Sequence, residues 1–354
     1  MLNKKQVQEI REHLEKAQNP VFLFDNDPDG LCSFLLLQRY IGRGRGVAIR
    51  SYPGLTKDYS KKILELKADY LFILDKPVVS QDFFNEVEKF NIPIVWIDHH
   101  PINIEDVPEF VDYYNPLFYE DSINSALEPN TIEAVTYYCY QISQKKEDLW
   151  LAVVGCISDR FIPNFYSDFI KDYPDLSLDS KDAFDVFYNS EIGKIAKIFS
   201  FALKDKTANV VTMMKFLMKA KTPYEILEEN TKNHTMHQRF KEIDRKYKKL
   251  LKKALEFGKK DEKILFFKYS GNLSISSDLS NELAYTFPKK IILIAYIKGA
   301  KANISARGKG VKDIILKTLD NFEEASGGGH EVAVGGKIRT EDLEKFKKIL
   351  FESV

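Results

Sequence analysis

Val21-Phe22-Leu23-Phe24-Asp25-Asn26-Asp27-Pro28-Asp29-Gly30 is the stretch on which the reading of the fold turns. Four apolar residues in a row read as a buried strand, and residues 31–40 beyond the loop carry helical periodicity. The arrangement recurs twice. Residues 70–74 form an apolar run ending at Asp75, followed by a helical pattern over 81–90. Residues 94–97 form a third run, ending in Asp98-His99-His100. Continuous apolar strands alternating with helices predict an α/β fold with a parallel sheet covered on both faces. Each of the three strands ends in an Asp, and the carboxyl ends of such strands are where open α/β sheets place their ligands.

After Asn115-Pro116 the pattern turns helical, with helices expected over 131–144 and 150–158. Residues 183–257 read as helical throughout, with 209–213 as the one strand candidate. The last part sets Phe240, Ile243, Tyr247, Leu250, Ala254 and Phe257 on one helical face. Arg239, Lys241, Arg245, Lys246, Lys248, Lys249, Lys252 and Lys253 lie on the other. That second face reads either as the solvated side of a connecting helix or as a surface that tracks phosphates. Strand signals return over 264–269, 291–297 and 302–306, then a helix over 311–319, then Ser326-Gly327-Gly328-Gly329-His330. Three parts are expected: a parallel-sheet domain over 1–182, a helical connector over 183–257 and a smaller α/β domain over 258–354.

The 354 residues hold 52 Lys+Arg against 52 Asp+Glu, which removes a global basic excess as an argument for nucleic-acid binding but leaves a local basic face open. At 44% hydrophobic and 13% aromatic residues the chain can bury a real core. Cys32, Cys139 and Cys156 are odd in number and form no Cys-x-x-Cys pair, so neither a disulfide framework nor a structural zinc site is expected. Residues 1–18 lack the apolar block of a signal peptide, and runs such as 291–297 are too short to span a bilayer. A cytoplasmic protein with no membrane partner is the expectation.

The chemistry concentrates in two clusters. Asp25-Asn26-Asp27-Pro28-Asp29-Gly30 imitates a calcium-binding EF-hand loop, but the twelfth position is Leu36 rather than a bidentate Glu, and the loop follows a strand. A nucleophilic-aspartate phosphotransferase fits Asp98-His99-His100 poorly. An ordinary Asp-Gly turn accounts for one or two of the aspartates, not for three whose mutual repulsion calls for a cation. Together with Asp75 and with Asp159, at the end of the 150–158 helix, they form an oxygen-rich set with one or two imidazoles. Such a set suits Mn²⁺ or Mg²⁺ better than zinc, and five or more carboxylates can hold two ions about 4 Å apart. In the C-terminal part, Arg307 offers a forked donor for phosphate, and the glycines before His330 offer unobstructed backbone N–H groups. His13, His234 and His237 lie in charged helical stretches and read as surface residues.

In order and spacing these motifs resemble the DHH–DHHA1 phosphoesterases, which include RecJ exonucleases, nanoRNases, cyclic-dinucleotide phosphodiesterases and family II pyrophosphatases. The matching residues are Asp25, Asp27, Asp29, Asp75, Asp98-His99-His100, Asp159 and Gly327-Gly328-Gly329-His330, spread over nearly the whole chain. The opening Asp25, where nanoRNases and pyrophosphatases generally carry His, resembles RecJ, and the length suits a compact, archaeal-type relative without an added OB domain. One departure is Lys76-Pro77 after Asp75, where the family often has a small residue. The resemblance implies Asp25, Asp27, Asp29, Asp75, His99 and Asp159 as ligands of Mn²⁺ or Mg²⁺. It implies His100 and Asp98 as catalytic groups, the second orienting the first, and Arg307, Gly328, Gly329 and His330 as the grip on substrate. The implied activity is a RecJ-like exonuclease on single-stranded DNA or RNA. The alternatives are a phosphodiesterase of short oligonucleotides or cyclic dinucleotides, or a subunit of a complex with replication or repair proteins.

Overall fold

The computed structural model describes residues 1–50, 54–118, 132–259 and 263–353; Thr131, where the helix expected over 131–144 was to begin, lies outside them. The chain divides into two units, Met1–Phe240 and Lys241–Val354, with the boundary inside helix His234–Gly258.

In the first unit, strands β1 (Pro20–Asp25), β2 (Arg45–Ile49), β3 (Tyr70–Leu74), β4 (Ile94–Ile97) and β5 (Val111–Tyr114) form a parallel sheet in the order β2-β1-β3-β4-β5. Alternate residues feed two cores. Phe22, Phe24, Phe72, Leu74, Val95 and Ile97 face one. Val21, Leu23, Leu71, Ile73, Ile94 and Trp96 face the other. That double burial is why the three central strands read as unbroken apolar runs. The outer strands β2 and β5 are partly exposed and more polar, and the sequence did not reveal them. Phe24 pairs with Leu74, and Leu74 with Ile97. The residues that follow, Asp25, Asp75 and Asp98, therefore leave the sheet abreast.

Helix Pro28–Ile41 starts where β1 ends. Its N-cap is Asp27, whose Oδ1 accepts the Gly30 N–H at 2.9 Å, and Pro28 opens its first turn. A side chain at position 30 would put its Cβ 2.5 Å from the Asp25 carbonyl oxygen, so only glycine lets the helix begin this close to the strand. Helices Val135–Ser143 and Leu149–Ser158 pack against it. The segment expected as a connector contributes to this core up to Phe240, through Val186, Ile195, Phe199, Met213 and Leu217 among others. Residues 209–213 are not a strand but part of helix Thr207–Leu217. The β-branched Val210, Val211 and Thr212 suggest a strand, but Val210, Met213, Met214 and Leu217 repeat at helical spacing and are buried.

In the second unit, strands β6 (Ile264–Ser270), β7 (Ile291–Lys298), β8 (Lys301–Arg307), β9 (Ser326–His330) and β10 (Ala333–Arg339) form a mixed sheet in the order β6-β7-β8-β10-β9. Only β6 and β7 run parallel. Helices Val311–Leu319 and Leu343–Glu352 bring Ile315, Leu319, Phe346 and Leu350 to its core. The glycine run is not a free loop: it is edge strand β9, paired to β10. Among the described residues no helix is long and apolar enough to cross a membrane.

Gly155 tests the packing behind the acidic edge. A Cβ there would lie 2.1 Å from the Thr136 hydroxyl, which donates to the Asp29 carbonyl at 2.9 Å. Gly155→Ala should cost about 1–3 kcal/mol in chemical denaturation, the usual penalty for overpacking. An unchanged midpoint would show that the two helices separate more easily than this packing implies.

Candidate metal centre

The carboxyl edge of the first sheet gathers most of the predicted ligands. Asp29, His99 and Asp159 offer ligand atoms within 4.8 Å of one another, and so do Asp75, His99 and His100. His99, shared by both sets, is buried, with Nε2 3.4 Å from Asp75 Oδ1 and Nδ1 3.5 Å from Asp159 Oδ2. Its Nδ1 also lies 3.0 Å from the Glu133 carbonyl. A proton donated there leaves Nε2 with the lone pair that a metal needs. Asp159 follows the last turn of helix Leu149–Ser158 and keeps its side chain partly exposed, at the open side of the site.

The other acidic residues are each engaged. Both Asp29 oxygens cap helix Val135–Ser143, accepting the Val135 N–H at 3.0 Å and the Thr136 N–H at 2.8 Å. Asp98 is fully buried; its Oδ1 meets His100 Nδ1 at 2.8 Å, while Oδ2 has no partner among the described residues. That contact suits the orienting role implied for Asp98. Asp75 takes a left-handed backbone, φ 57°, which turns the chain sharply at the end of β3. Asp25 forms an ion pair with Lys76, whose Nζ donates to Asp25 Oδ1 at 2.6 Å and to the Arg50 carbonyl at 3.3 Å. Lys76, Thr136 and the Glu133 carbonyl are the participants that the sequence did not point to. Only the oddity of Lys76-Pro77 hinted at the first.

Crowding raises the carboxyl pKa values. Half-buried Asp27 is pushed up to about 8, by desolvation of its carboxyl first and then by Asp25 and Asp29. Asp29 is pushed up to about 6 by burial and by Asp159, against the lowering influence of His99 and of the Thr136 hydrogen bonds. Burial, then Asp29 and Asp27, hold Asp75 well above the ordinary carboxylate range. For His99, burial alone would lower the pKa, but Asp159, Asp75 and Asp29 together raise it well above the usual imidazole value. Carboxylates this close need a cation to ionise together. The oxygen-rich donor set with imidazole nitrogen fits a hard divalent ion such as Mn²⁺ or Mg²⁺.

The remaining candidates lie in the second unit. Arg307 ends β8, with Nε donating to Asn281 Oδ1 at 2.7 Å and a terminal nitrogen donating to Ser277 Oγ at 3.1 Å. Both partners sit on helix Ser276–Thr286, which the sequence did not single out. Gly328, Gly329 and His330 belong to β9. On helix His234–Gly258, Ile243, Tyr247 and Ala254 are buried as expected, while Phe257 is 49% exposed. Lys246 and Lys248 pair with Glu242 and Asp244 one turn earlier, whereas Lys249, Lys252 and Lys253 are exposed. Contrary to expectation, His237 is buried, its Nε2 2.9 Å from the Ile226 carbonyl.

Residues 261–354 match the family model of the DHHA1 domain. The whole chain superposes on RecJ of Thermus thermophilus in complex with Mn²⁺ at a TM-score of 0.72, with 15% identity, covering 99% of this chain and 55% of that one. The chain has the fold of RecJ, and its C-terminal part matches the DHHA1 domain. It spans about half the length of the Thermus protein. A second structure, exonuclease RecJ bound to manganese, matches at 0.68 with 14% identity and coverage of 99% and 95%. CDC45 from Entamoeba histolytica matches at 0.53 with 12% identity and 99% coverage of both chains. No curated protein matches the sequence. The RecJ-like fold agrees with the fold class expected from the sequence: parallel sheet first, helices between, a smaller unit with a mixed sheet last.

The raised pKa values give the stability a definite pH dependence. Stripped of metal, the folded protein keeps protons on Asp29 and Asp27 that unfolded carboxyls release above about pH 4. Its stability should therefore fall as pH rises through about 6 and on towards about 8. Raised His99 acts in the same direction, since its contribution is lost as pH climbs through its folded value. Thermal melts in EDTA should show Tm declining over this window, and added Mn²⁺ should raise Tm more at pH 8 than at pH 6. A Tm in EDTA that climbed with pH would contradict the crowding.

Proposed function

We propose that the protein is a divalent-metal-dependent phosphodiesterase, a RecJ-like exonuclease that removes nucleotides from single-stranded DNA or RNA. The observation that carries this reading is the convergence of Asp29, Asp75, His99, His100 and Asp159 on one sheet edge, with ligand atoms of two overlapping triads within 4.8 Å. His99, Asp29, Asp75 and Asp159 are assigned to holding Mn²⁺ or Mg²⁺, with Asp27 beside them. A metal held there would supply the activation of water and offset the charge that builds on the phosphoryl oxygens. His100, whose Nδ1 lies 2.8 Å from Asp98 Oδ1, is assigned to donating to a substrate phosphate oxygen. The RecJ structures with Mn²⁺ share the fold, which supports the reading without fixing the substrate.

Arg307 is assigned to gripping a substrate phosphate, since Asn281 and Ser277 hold its guanidinium in one orientation. His330 and the β9 glycines are assigned to the same grip, on the match of their segment to the DHHA1 domain. The exposed Lys249, Lys252 and Lys253 are assigned to phosphates further along a long strand.

End-labelled single strands incubated with Mn²⁺ should shorten progressively, and EDTA should stop the reaction. His99→Ala should lower turnover by about a hundredfold or more with the fold intact, a loss of charge stabilisation rather than of packing. Arg307→Ala should chiefly raise KM; a fall in kcat at unchanged KM would make Arg307 a transition-state group instead. Intact long strands beside rapid cleavage of dinucleotides would replace the exonuclease reading with a short-oligonucleotide phosphodiesterase.

Charge reversal on the long helix separates the same two substrates. Changing Lys249, Lys252 and Lys253 to Glu should weaken binding of long single strands far more than of dinucleotides. It should also flatten the salt dependence by about 0.7 in slope for each phosphate that the helix no longer neutralises. Equal, small effects on both substrates would return these lysines to the role of a solvated helix face.

A further inference from the structure

Lys76 is the feature of the acidic edge that a metal centre does not call for. Its side chain is fully buried, and its ammonium is held by Asp25 Oδ1 at 2.6 Å and the Arg50 carbonyl at 3.3 Å. Consecutive residues of an extended strand point to opposite faces, so Asp75 and Lys76 would normally diverge. The left-handed turn at Asp75, φ 57°, breaks that alternation, and both residues are buried, at 3% and 0% exposure. Pro77 then restricts Lys76 to an extended conformation. The backbone thus fixes a cation against the first aspartate of the Asp25-Asn26-Asp27-Pro28-Asp29 run.

We propose that the Lys76 ammonium stands in for one of the metal ions: it neutralises Asp25 from within the chain, and the centre takes up a single divalent ion, at His99. The inference rests on the metal-dependent reading above and reduces the ion count from the two expected from the sequence. An ion bound through Asp25 Oδ1 would have to displace the ammonium, which would then be buried without that partner, a costly arrangement. The ligand sets around His99 do not include Asp25, so an ion can bind there with the Lys76 pair intact. A lysine also contributes one positive charge where an ion contributes two. The loaded centre is accordingly more negative than a two-ion centre built on the same carboxylates.

Metal stoichiometry decides the matter without reference to activity. Protein stripped with EDTA is dialysed against Mn²⁺, the bound metal is counted, and the electron paramagnetic resonance spectrum is recorded. The wild type should bind about one Mn²⁺ per chain, with the spectrum of an isolated ion. Lys76→Met, which keeps the bulk and removes the charge, should bind about two, close enough for exchange coupling at the separation of about 4 Å usual for paired ions. Lys76→Arg should stay at one. Asp25→Asn keeps the lysine and an amide oxygen that can still accept from its ammonium; with circular dichroism confirming the fold, it should leave the wild-type count of one unchanged.

A coupled pair of ions in the wild type would overturn the proposal, as would a folded Lys76→Met protein still holding one ion, or loss of an ion in Asp25→Asn. The functional reading fails differently. No Mn²⁺ bound by the wild type would remove both it and the proposal. One bound ion with no cleavage of any single strand or dinucleotide would remove the enzyme and leave the assignment of Lys76 standing.

Discussion

Repulsion among carboxylates at one end of a buried sheet is the constraint around which the first unit is organised. Two like charges about 4 Å apart cost about 4 kcal/mol at the effective dielectric typical of such sites, while a whole domain is stable by only about 5–15 kcal/mol. A handful of such pairs left uncompensated would rival the entire stability. The surroundings supply the compensation piece by piece. The N-terminus of helix Val135–Ser143 donates two amides to Asp29, His100 faces Asp98, His99 lies between Asp75 and Asp159, and Lys76 is clamped on Asp25. What they leave unmatched shows in the raised pKa values of Asp27, Asp29 and Asp75.

The same constraint explains local choices that packing alone would not. Only glycine at position 30 lets a helix start against the end of β1, which is what keeps Asp27 and Asp29 beside Asp25 rather than a turn away. The level register of β1, β3 and β4 brings Asp25, Asp75 and Asp98 out side by side. Strain at Asp75 fits this pattern: a left-handed non-glycine residue is tolerated where it aims two charged side chains into one site.

Much of this was legible in the sequence, because a strand buried on both faces writes an unbroken apolar run and its end is marked by the first charge. The central strands, the helix after β1 and the clustering of Asp29, Asp75, His99 and Asp159 follow from that signal. Edge strands β2 and β5 did not, since half-exposed strands carry mixed residues that resemble loops. Thr207–Leu217 was ambiguous because β-branched residues weighed against a helical spacing of only three turns. Lys76 could not be placed by pattern at all. Its direction depends on one backbone torsion at Asp75, and no periodicity encodes that. The strand pairing of the glycine run was likewise not legible, since pairing to β10 is a long-range choice that local composition does not reveal.

A phosphodiester is itself an anion, so an acidic pocket repels the very group that the proposed chemistry would act on. Formal neutrality, 52 basic against 52 acidic residues, hides how that conflict is met. Negative charge is concentrated at the carboxyl edge of the first sheet, while helix His234–Gly258 carries a dense row of cations. Part of that row is spent on its own acidic neighbours: Lys246 on Glu242 and Lys248 on Asp244. The Lys246–Glu242 pair is exposed on both sides, and such pairs contribute little to stability and are easily exchanged for a phosphate; Asp244, only 15% exposed, gives up Lys248 less readily. The cations that a polyanion would meet are thus kept in water, where they cost nothing to hold, and the acidic groups are kept in the interior, where amides, protons or a cation must offset their charge. Under the proposed function, charges of the two signs on different elements are what a neutral chain would need to bind a metal and a phosphate without either charge cancelling the other beforehand.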